Sequence, residues 1–330
     1  MSVFASILSG TIIFAVPLIL VALGGMFSER SGTINIALEG IMIIGALCAC
    51  LFLSASNDMA WALKNPQLAV FVAILIAGAS GLIFSLLLAF ASINLKADQT
   101  IGGTALNMMA PALAIVVTWA IQGAGQTTIN IPSWIRITQA DFGFTQSATQ
   151  GFFESLTFNS FYLTTPIAII LLIVSVIILY KTKFGLRLRS CGEHPQAADS
   201  VGINVYKTRY AGVAISGFLG GIGGLAFTVA VGSGFQSSVA GYGFLALAVM
   251  IFGNWKPLRI AGAALLFALF KVIGPMAGSI PFLPSFSKIK AAEYIYLMLP
   301  YIVTMIVLAF TSKKSRAPKA EGIPYDKSSR

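Results

Sequence analysis

The sequence predicts an all-α fold, a polytopic integral membrane bundle of about nine transmembrane helices, within a range of eight to ten. Three observations predict it. Of 330 residues, 57% are hydrophobic and only 10% charged, and the mean hydropathy is +0.88, more apolar than a soluble domain sustains. The apolar runs are about 18–25 residues long, the length a helix needs to cross a bilayer. An outer-membrane barrel would instead show alternating strands of about ten residues.

In chain order the runs fall near residues 5–25, 34–53, 68–92, 101–123, 161–180, 208–231, 240–254, 258–277 and 294–311. The first follows a segment, Met1 to Ser9, that lacks the positive region of a signal peptide, and no small-residue cleavage pattern closes it, so it reads as a retained helix. Taking alternate loops as one side, 27–33, 93–100, 181–207, 255–259 and the tail from 312 collect most of the 21 Lys and Arg residues, against four on the other side. Basic loops stay in the cytoplasm. The C-terminus is therefore expected inside and, for an odd number of spans, the N-terminus outside. Residues 1–312 form the membrane domain and 313–330 a basic cytoplasmic tail. The longest external segment, 124–160, is rich in Thr, Gln and Gly, carries Pro132 and Trp134, and separates four runs from five. The second and seventh runs share a loose pattern, SGTINIALEGIMIIGA against AGYGFLALAVMIFGN, which suggests a diverged internal duplication.

The net charge of +10 would point to nucleic acid in a soluble protein; here it is the sum of cytoplasmic loops and tail, so no nucleic acid partner is expected. Cys48 and Cys50 lie inside an apolar run and Cys191 in a basic loop, which builds neither a disulfide framework nor a four-ligand metal site. His194 is the only histidine, and no P-loop, HExxH, GxSxG or paired CxxC occurs. An intramembrane enzyme needs a nucleophile and base, or a metal pair, facing one another in the bilayer. The chain offers neither.

The loop Lys181 to Lys207, KTKFGLRLRSCGEHPQAADSVGINVYK, is too long for a tight turn and too patterned for a floppy linker. Pro195 suits the first turn of a helix, Gln196 to Val201 continue it, and Gly202 can end it in a left-handed cap. A two-turn helix parallel to the membrane is expected there, with polar residues toward a partner. The competing reading is a basic loop that only fixes topology.

The stretch GEHPQAADSVGINVYKTRYAGVAISGFLGGIGG resembles the ATPase-coupling segment of bacterial ABC importer permeases of the branched-chain amino acid and simple-sugar type. FSERSGTINIALEGIMIIGA, IGGTALNMMAPALA and AGYGFLALAVMIFGNWKP are similar to the nucleoside-uptake branch of that family. The likeness spans most of the chain and weakens over 124–160 and after Pro281. It implies a pore-forming permease subunit in the plasma membrane of a bacterium. It also implies separate ABC ATPase subunits, an extracytoplasmic binding protein and a second, related permease in a heterodimer. No cofactor is implied for this chain, ATP and magnesium being held by the ATPase. Glu193, His194, Pro195, Gln196, Asp199 and Gly202 would then form the coupling contact, a mechanical role rather than a catalytic one.

Polar groups inside apolar runs are costly in lipid and mark either a polar path or interhelical bonding. Asn35 and Glu39 are spaced i,i+4, as are Gly103 and Asn107, so each pair shares one helical face. Asn107 suits both readings; Glu39, placed toward the cytoplasmic end, reads as structural. A nucleoside offers hydroxyls, ring nitrogens and an aromatic face, which amides and aromatics can meet. Asn35, Glu39, Thr104, Asn107, Phe235, Gln236, Tyr242 and Phe244 are the candidate path residues. Lys271 reads as snorkelling to the interface. Gly217 with Gly221, and Gly220 with Gly224, permit close helix contact. A secondary transporter should show more intramembrane ionisable residues than Glu39 and Lys271. The remaining competitor is a pentose or hexose permease of the same superfamily.

Overall fold

The computed structural model describes residues 3–137, 162–276 and 317–327, with isolated positions between 298 and 306. Among them the secondary structure is helical apart from one isolated bridge, Ile129 with Phe235. Seven helices are long and apolar enough to cross a membrane. They are α1 (Val3–Arg30), α2 (Leu38–Ser56), α4 (Pro66–Ala89, continued by a π-turn Phe90–Asn94), α5 (Gln99–Gln122), α6 (Thr164–Lys181), α9 (Val205–Val231) and α11 (Pro257–Met276). Shorter helices are α3 (Ala60–Lys64), α7 (Lys183–Glu193), α8 (Pro195–Ser200) and α10 (Tyr242–Phe252). The seventh apolar run thus gives a helix of only 11 residues. The ninth run, 294–311, and most of the segment 124–160 lie outside the described residues.

Local sequence sets several of these ends. Asp98 accepts the Thr100 and Ile101 amides at 2.8 and 2.9 Å and starts α5; Asn204 accepts the Lys207 amide at 2.9 Å and starts α9. Both offer a short acceptor to amides that lack an intrahelical partner. Gly232, at φ +72°, ends α9 in the left-handed cap that a Cβ would strain.

The bundle is built around α9. In its most apolar stretch 78% of positions are buried, against 22% in α5 and in α6, which present Met108, Val116, Ile169 and Ile173 outward. The reason is a run of small residues. A Cβ on Gly221 would stand 2.0 Å from the Ala77 carbonyl of α4, and one on Gly224 would stand 2.0 Å from the Met42 carbonyl of α2. On a third side, Gly223 meets Val21 of α1. Lipid supplies no hydrophobic drive for helix association, so such backbone approach supplies dispersion contact instead.

These contacts also fix directions. α1 runs antiparallel to α9, since Ser31 meets Gly212 and Val21 meets Gly223. It also runs antiparallel to α11, because Gly10 meets Val272 while Arg30, at the other end, bonds the Trp255 carbonyl at 3.3 Å. The end carrying Arg30, Lys96, Lys181 and Lys256 is called the basic end below.

Candidate functional site

Two membrane elements are broken, and they meet. From the basic end the chain passes Arg30 and rises through the non-helical segment 31–37 before α2 begins. From the opposite end it leaves α9 and re-enters through 232–241 before α10 begins. The pair α1–α2 and the pair α9–α10 therefore have opposite polarity, and the two blocks that share a sequence pattern, 31–46 and 240–254, begin in these segments and run on into α2 and α10. Phe252 of α10 leads to Trp255, whose indole N–H donates to Glu29 at the basic end. Eleven helical residues rise about 16 Å, so the start of α10 lies near the middle of a hydrocarbon core about 30 Å thick.

Neither broken helix can cap itself. α2 has Ala37 at its N-cap and α10 has Gly241, and neither offers a side-chain acceptor. Each is capped from another helix. Asn107 of α5 accepts the Gly40 amide at 2.8 Å and donates to the Ile36 carbonyl at 2.8 Å. Glu39 of α2 accepts the Gly241 amide at 2.8 Å through Oε1 and the Gly243 amide at 2.6 Å through Oε2. Because Glu39 sits in the first turn of α2 and against the first turn of α10, its charge faces the positive ends of both helix dipoles. A Cβ on Gly243 would stand 2.4 Å from the Glu39 amide nitrogen, so glycine is needed for the approach. Asn35 completes the junction by donating to the Ser216 hydroxyl of α9 at 2.8 Å, while its buried Oδ1 has no hydrogen-bond partner among the described residues.

The eight candidate path residues thus separate. Asn35, Glu39, Asn107 and Tyr242 gather at the buried junction, and Glu39 lies well inside the bundle rather than toward its basic end. Tyr242 stacks on Phe227 with ring centroids 4.4 Å apart. Phe235 is buried and braces 232–241 through paired backbone bonds to Ile129 of 2.9 and 3.0 Å. Thr104, Gln236 and Phe244 lie on open faces, with the Thr104 hydroxyl bonded back to the Thr100 carbonyl at 2.7 Å. Lys271 does not snorkel away. Its ammonium lies 5.4 Å from the Tyr242 ring centroid and lines a cavity of about 360 Å³ with Phe14, Phe227, Thr228, Gln236 and Ser238.

At the basic end, α8 runs Pro195–Ser200 with Pro195 in its first turn, and Gly202 follows at φ +83°. His194, Gln196 and Gly202 are exposed, Pro195 is buried, and Asp199 is partly buried. Glu193 lies 3.9 Å from Arg30, a half-exposed pair worth little by itself. The preceding helix α7 went unseen in the sequence although its signal is there: Phe184, Leu188 and Cys191, spaced i, i+4, i+7, turn one apolar face inward. Also missed were Arg209, Ser216 and the segment 317–327. Arg209 follows Lys207 and Thr208 at a polar helix start and Ser216 is a lone polar residue in an apolar run, and only the fold reveals their partners.

An antiparallel pair of broken helices with N-termini meeting in mid-bilayer, beside a helical element at one membrane end, defines a transport permease. Residues 7–308 match the family described as branched-chain amino acid transport system / permease component, and the chain belongs to that family of ABC transport subunits, which are not themselves enzymes. It is 42% identical to the guanosine ABC transporter permease protein NupQ of Bacillus subtilis over 99% of this chain and 98% of the relative. It is 41% identical to the nucleoside ABC transporter permease protein NupC of Lactococcus lactis over 98% and 97%. A second Lactococcus lactis nucleoside permease, NupB, is 26% identical over 93% and 83%. No solved structure matches the chain.

Proposed function

We propose that this chain is one half of the pore of a nucleoside importer, driven by separate ATPase subunits and supplied by an extracytoplasmic binding protein. The observation that carries the reading is identity above 40% over nearly the whole length with two permeases named for guanosine and nucleoside transport. The site is consistent with it in kind. The junction and the adjoining cavity offer amides, hydroxyls, one ammonium and aromatic rings, groups that suit a neutral polar ring.

In this reading Asn35, Glu39, Thr104, Asn107, Phe235, Gln236, Tyr242 and Phe244 border the path, with Glu39 and Asn107 acting by holding the broken helices. Glu193, His194, Pro195, Gln196, Asp199 and Gly202 form the ATPase contact. The basic end faces the cytoplasm of a bacterium, the N-terminus lies outside, and a ninth span follows within 294–311. The chain is similar to two permeases of one organism, NupC at 41% identity and NupB at 26%, and that pairing of unlike permeases supports a second half of the pore that is a related chain rather than a copy.

The test is uptake of labelled guanosine and uridine by cells with and without this chain, with excess unlabelled ribose as competitor. Loss of nucleoside uptake on deletion, insensitive to ribose, is expected. Survival of nucleoside uptake together with loss of ribose uptake would move the substrate to sugars.

A further inference from the structure

Residues 317–327 carry no helix, yet they are held along the basic end at six places. The Ala320 amide donates to the Gly192 carbonyl, at the end of α7, at 2.8 Å. Arg209, in the second turn of α9 and 1% exposed, donates from Nη1 to the Ile323 carbonyl at 2.9 Å. Gly322, at φ +76°, lies against Ile34, where a Cβ would stand 2.8 Å from the Ile34 Cδ1. The Glu321 carboxyl lies beside that of Glu29 of α1. Tyr325 is buried among Cys191, Ala198 and Val205, edge-on to Tyr206 at 5.5 Å, and Lys96 pairs with Asp326 at 2.8 Å.

The pieces so joined are those a transport cycle must connect. Gly192 and Ala198 belong to α7 and α8, the element exposed at the basic end. Gly32 and Ile34 belong to the leg 31–37 that rises to Asn35 and Glu39, and Glu29 stands at the end of α1 just before it. The direct links between these two parts are the Arg30–Glu193 pair at 3.9 Å and one close backbone approach, where a Cβ on Gly192 would stand 2.4 Å from the Arg30 carbonyl, and both fall at the end of α1 rather than on 31–37. The C-terminal segment lies between them: a Cβ on Gly32 would meet both Arg209 Nη2 at 2.8 Å and the Ala320 carbonyl at 3.3 Å. A segment that only balanced charge would leave Ala320 and Tyr325 in water, but they are 6% and 5% exposed.

We infer that residues 317–327 are a strap that transmits displacement of α7–α8 to the re-entrant leg 31–37, so that ATPase motion reaches the broken-helix junction through the C-terminus. The inference rests on the ATP-driven permease reading but not on the substrate. It is tested in the assembled transporter carrying Ser233→Cys, on the exposed re-entrant segment at the far end, by the rate of maleimide labelling with and without ATP. The full chain is expected to change its labelling rate on adding ATP. A chain ending at Arg316 is expected to retain its ATPase subunit and hydrolyse ATP within twofold of the full chain, yet to lose that change and at least tenfold of its uptake. Gly322→Val, which displaces the strap at Ile34 only, is expected to behave likewise and decides the matter if the shortened chain does not assemble. An ATP-dependent labelling change that persists in both variants overturns the strap. So does loss of the ATPase subunit from both, which would make the segment part of the docking surface instead. Nucleoside uptake by the full chain is read separately, so its absence would remove the substrate and leave the strap to the labelling result.

Discussion

Glu39 and Gly243 stand on different broken helices, and the carboxylate of the first accepts the amide proton of the second at 2.6 Å. The bond makes the start of α2 the cap of α10, so neither helix can shift along the bundle axis without the other. Glu39→Gln keeps one acceptor but turns an N–H₂ toward an amide donor. It is expected to cost about 1–3 kcal/mol, read as a lower unfolding temperature of the purified transporter, and to reduce uptake more than tenfold. Full uptake with unchanged stability would show that the cap is dispensable.

Asn107 performs the matching task for α2. Asn107→Leu leaves the Gly40 amide and the Ile36 carbonyl without partners inside the bundle, and a loss of about 2 kcal/mol or more is expected. Ser216→Ala removes only the acceptor of the Asn35 amide, so its loss should be smaller. Thermal unfolding of the two variants side by side checks the order.

Glycine substitutions separate packing from mere presence in a helix. In Gly221→Ala and Gly224→Ala the new methyl meets backbone carbonyls at 2.0 Å, which cannot rotate away, and neither variant should accumulate in the membrane. Gly102→Ala, with its nearest neighbour at 3.7 Å, and Gly262→Ala, with none within 4 Å, should accumulate normally. Membrane immunoblots decide this.

The strap has a pH signature. Burial raises the Glu321 carboxyl above the ordinary carboxylate range, while its neighbours Glu29 and Arg30 pull it the other way by less. A raised acid is held protonated in the docked state, so docking is favoured at low pH and weakens as pH climbs from the ordinary value through the raised one. Glu321→Gln removes this carboxyl's share of the dependence and leaves Glu29 beside it, so protease cleavage of the C-terminal segment should rise less steeply across the same window.

Seven of the nine expected spans were legible because a 20-residue apolar run has one stable form in lipid. The start of α8 at Pro195 and its end before Gly202 were legible because proline and glycine punctuate the backbone directly. The breaks at 31–37 and 232–241 were not. Ala37 and Gly241 carry no capping side chain, and the groups that permit the breaks, Asn107 and Glu39, lie far away in sequence. The same holds for Arg209 and Ile323, 114 residues apart. Glu39 read as structural, and its bonds to the Gly241 and Gly243 amides hold two helices together, but deep in the bundle rather than near a loop. A buried polar residue announces that it has a partner, but hydropathy says nothing about which one.

The surface of α8 gives the last prediction. Glu193 and Asp199 flank the exposed His194 and Gln196 on an element that ends at a left-handed glycine, and a contact that must push rather than merely bind needs charged groups held on a short stiff helix. Glu193→Ala combined with Asp199→Ala is expected to abolish uptake while the chain still inserts, because the substitutions lie outside every membrane span. Losing the Arg30–Glu193 pair alone cannot account for that, since a half-exposed pair is worth at most about 1 kcal/mol. If the double variant transports normally, the ATPase does not bear on this surface, and α7–α8 would serve only to hold the C-terminal segment in place.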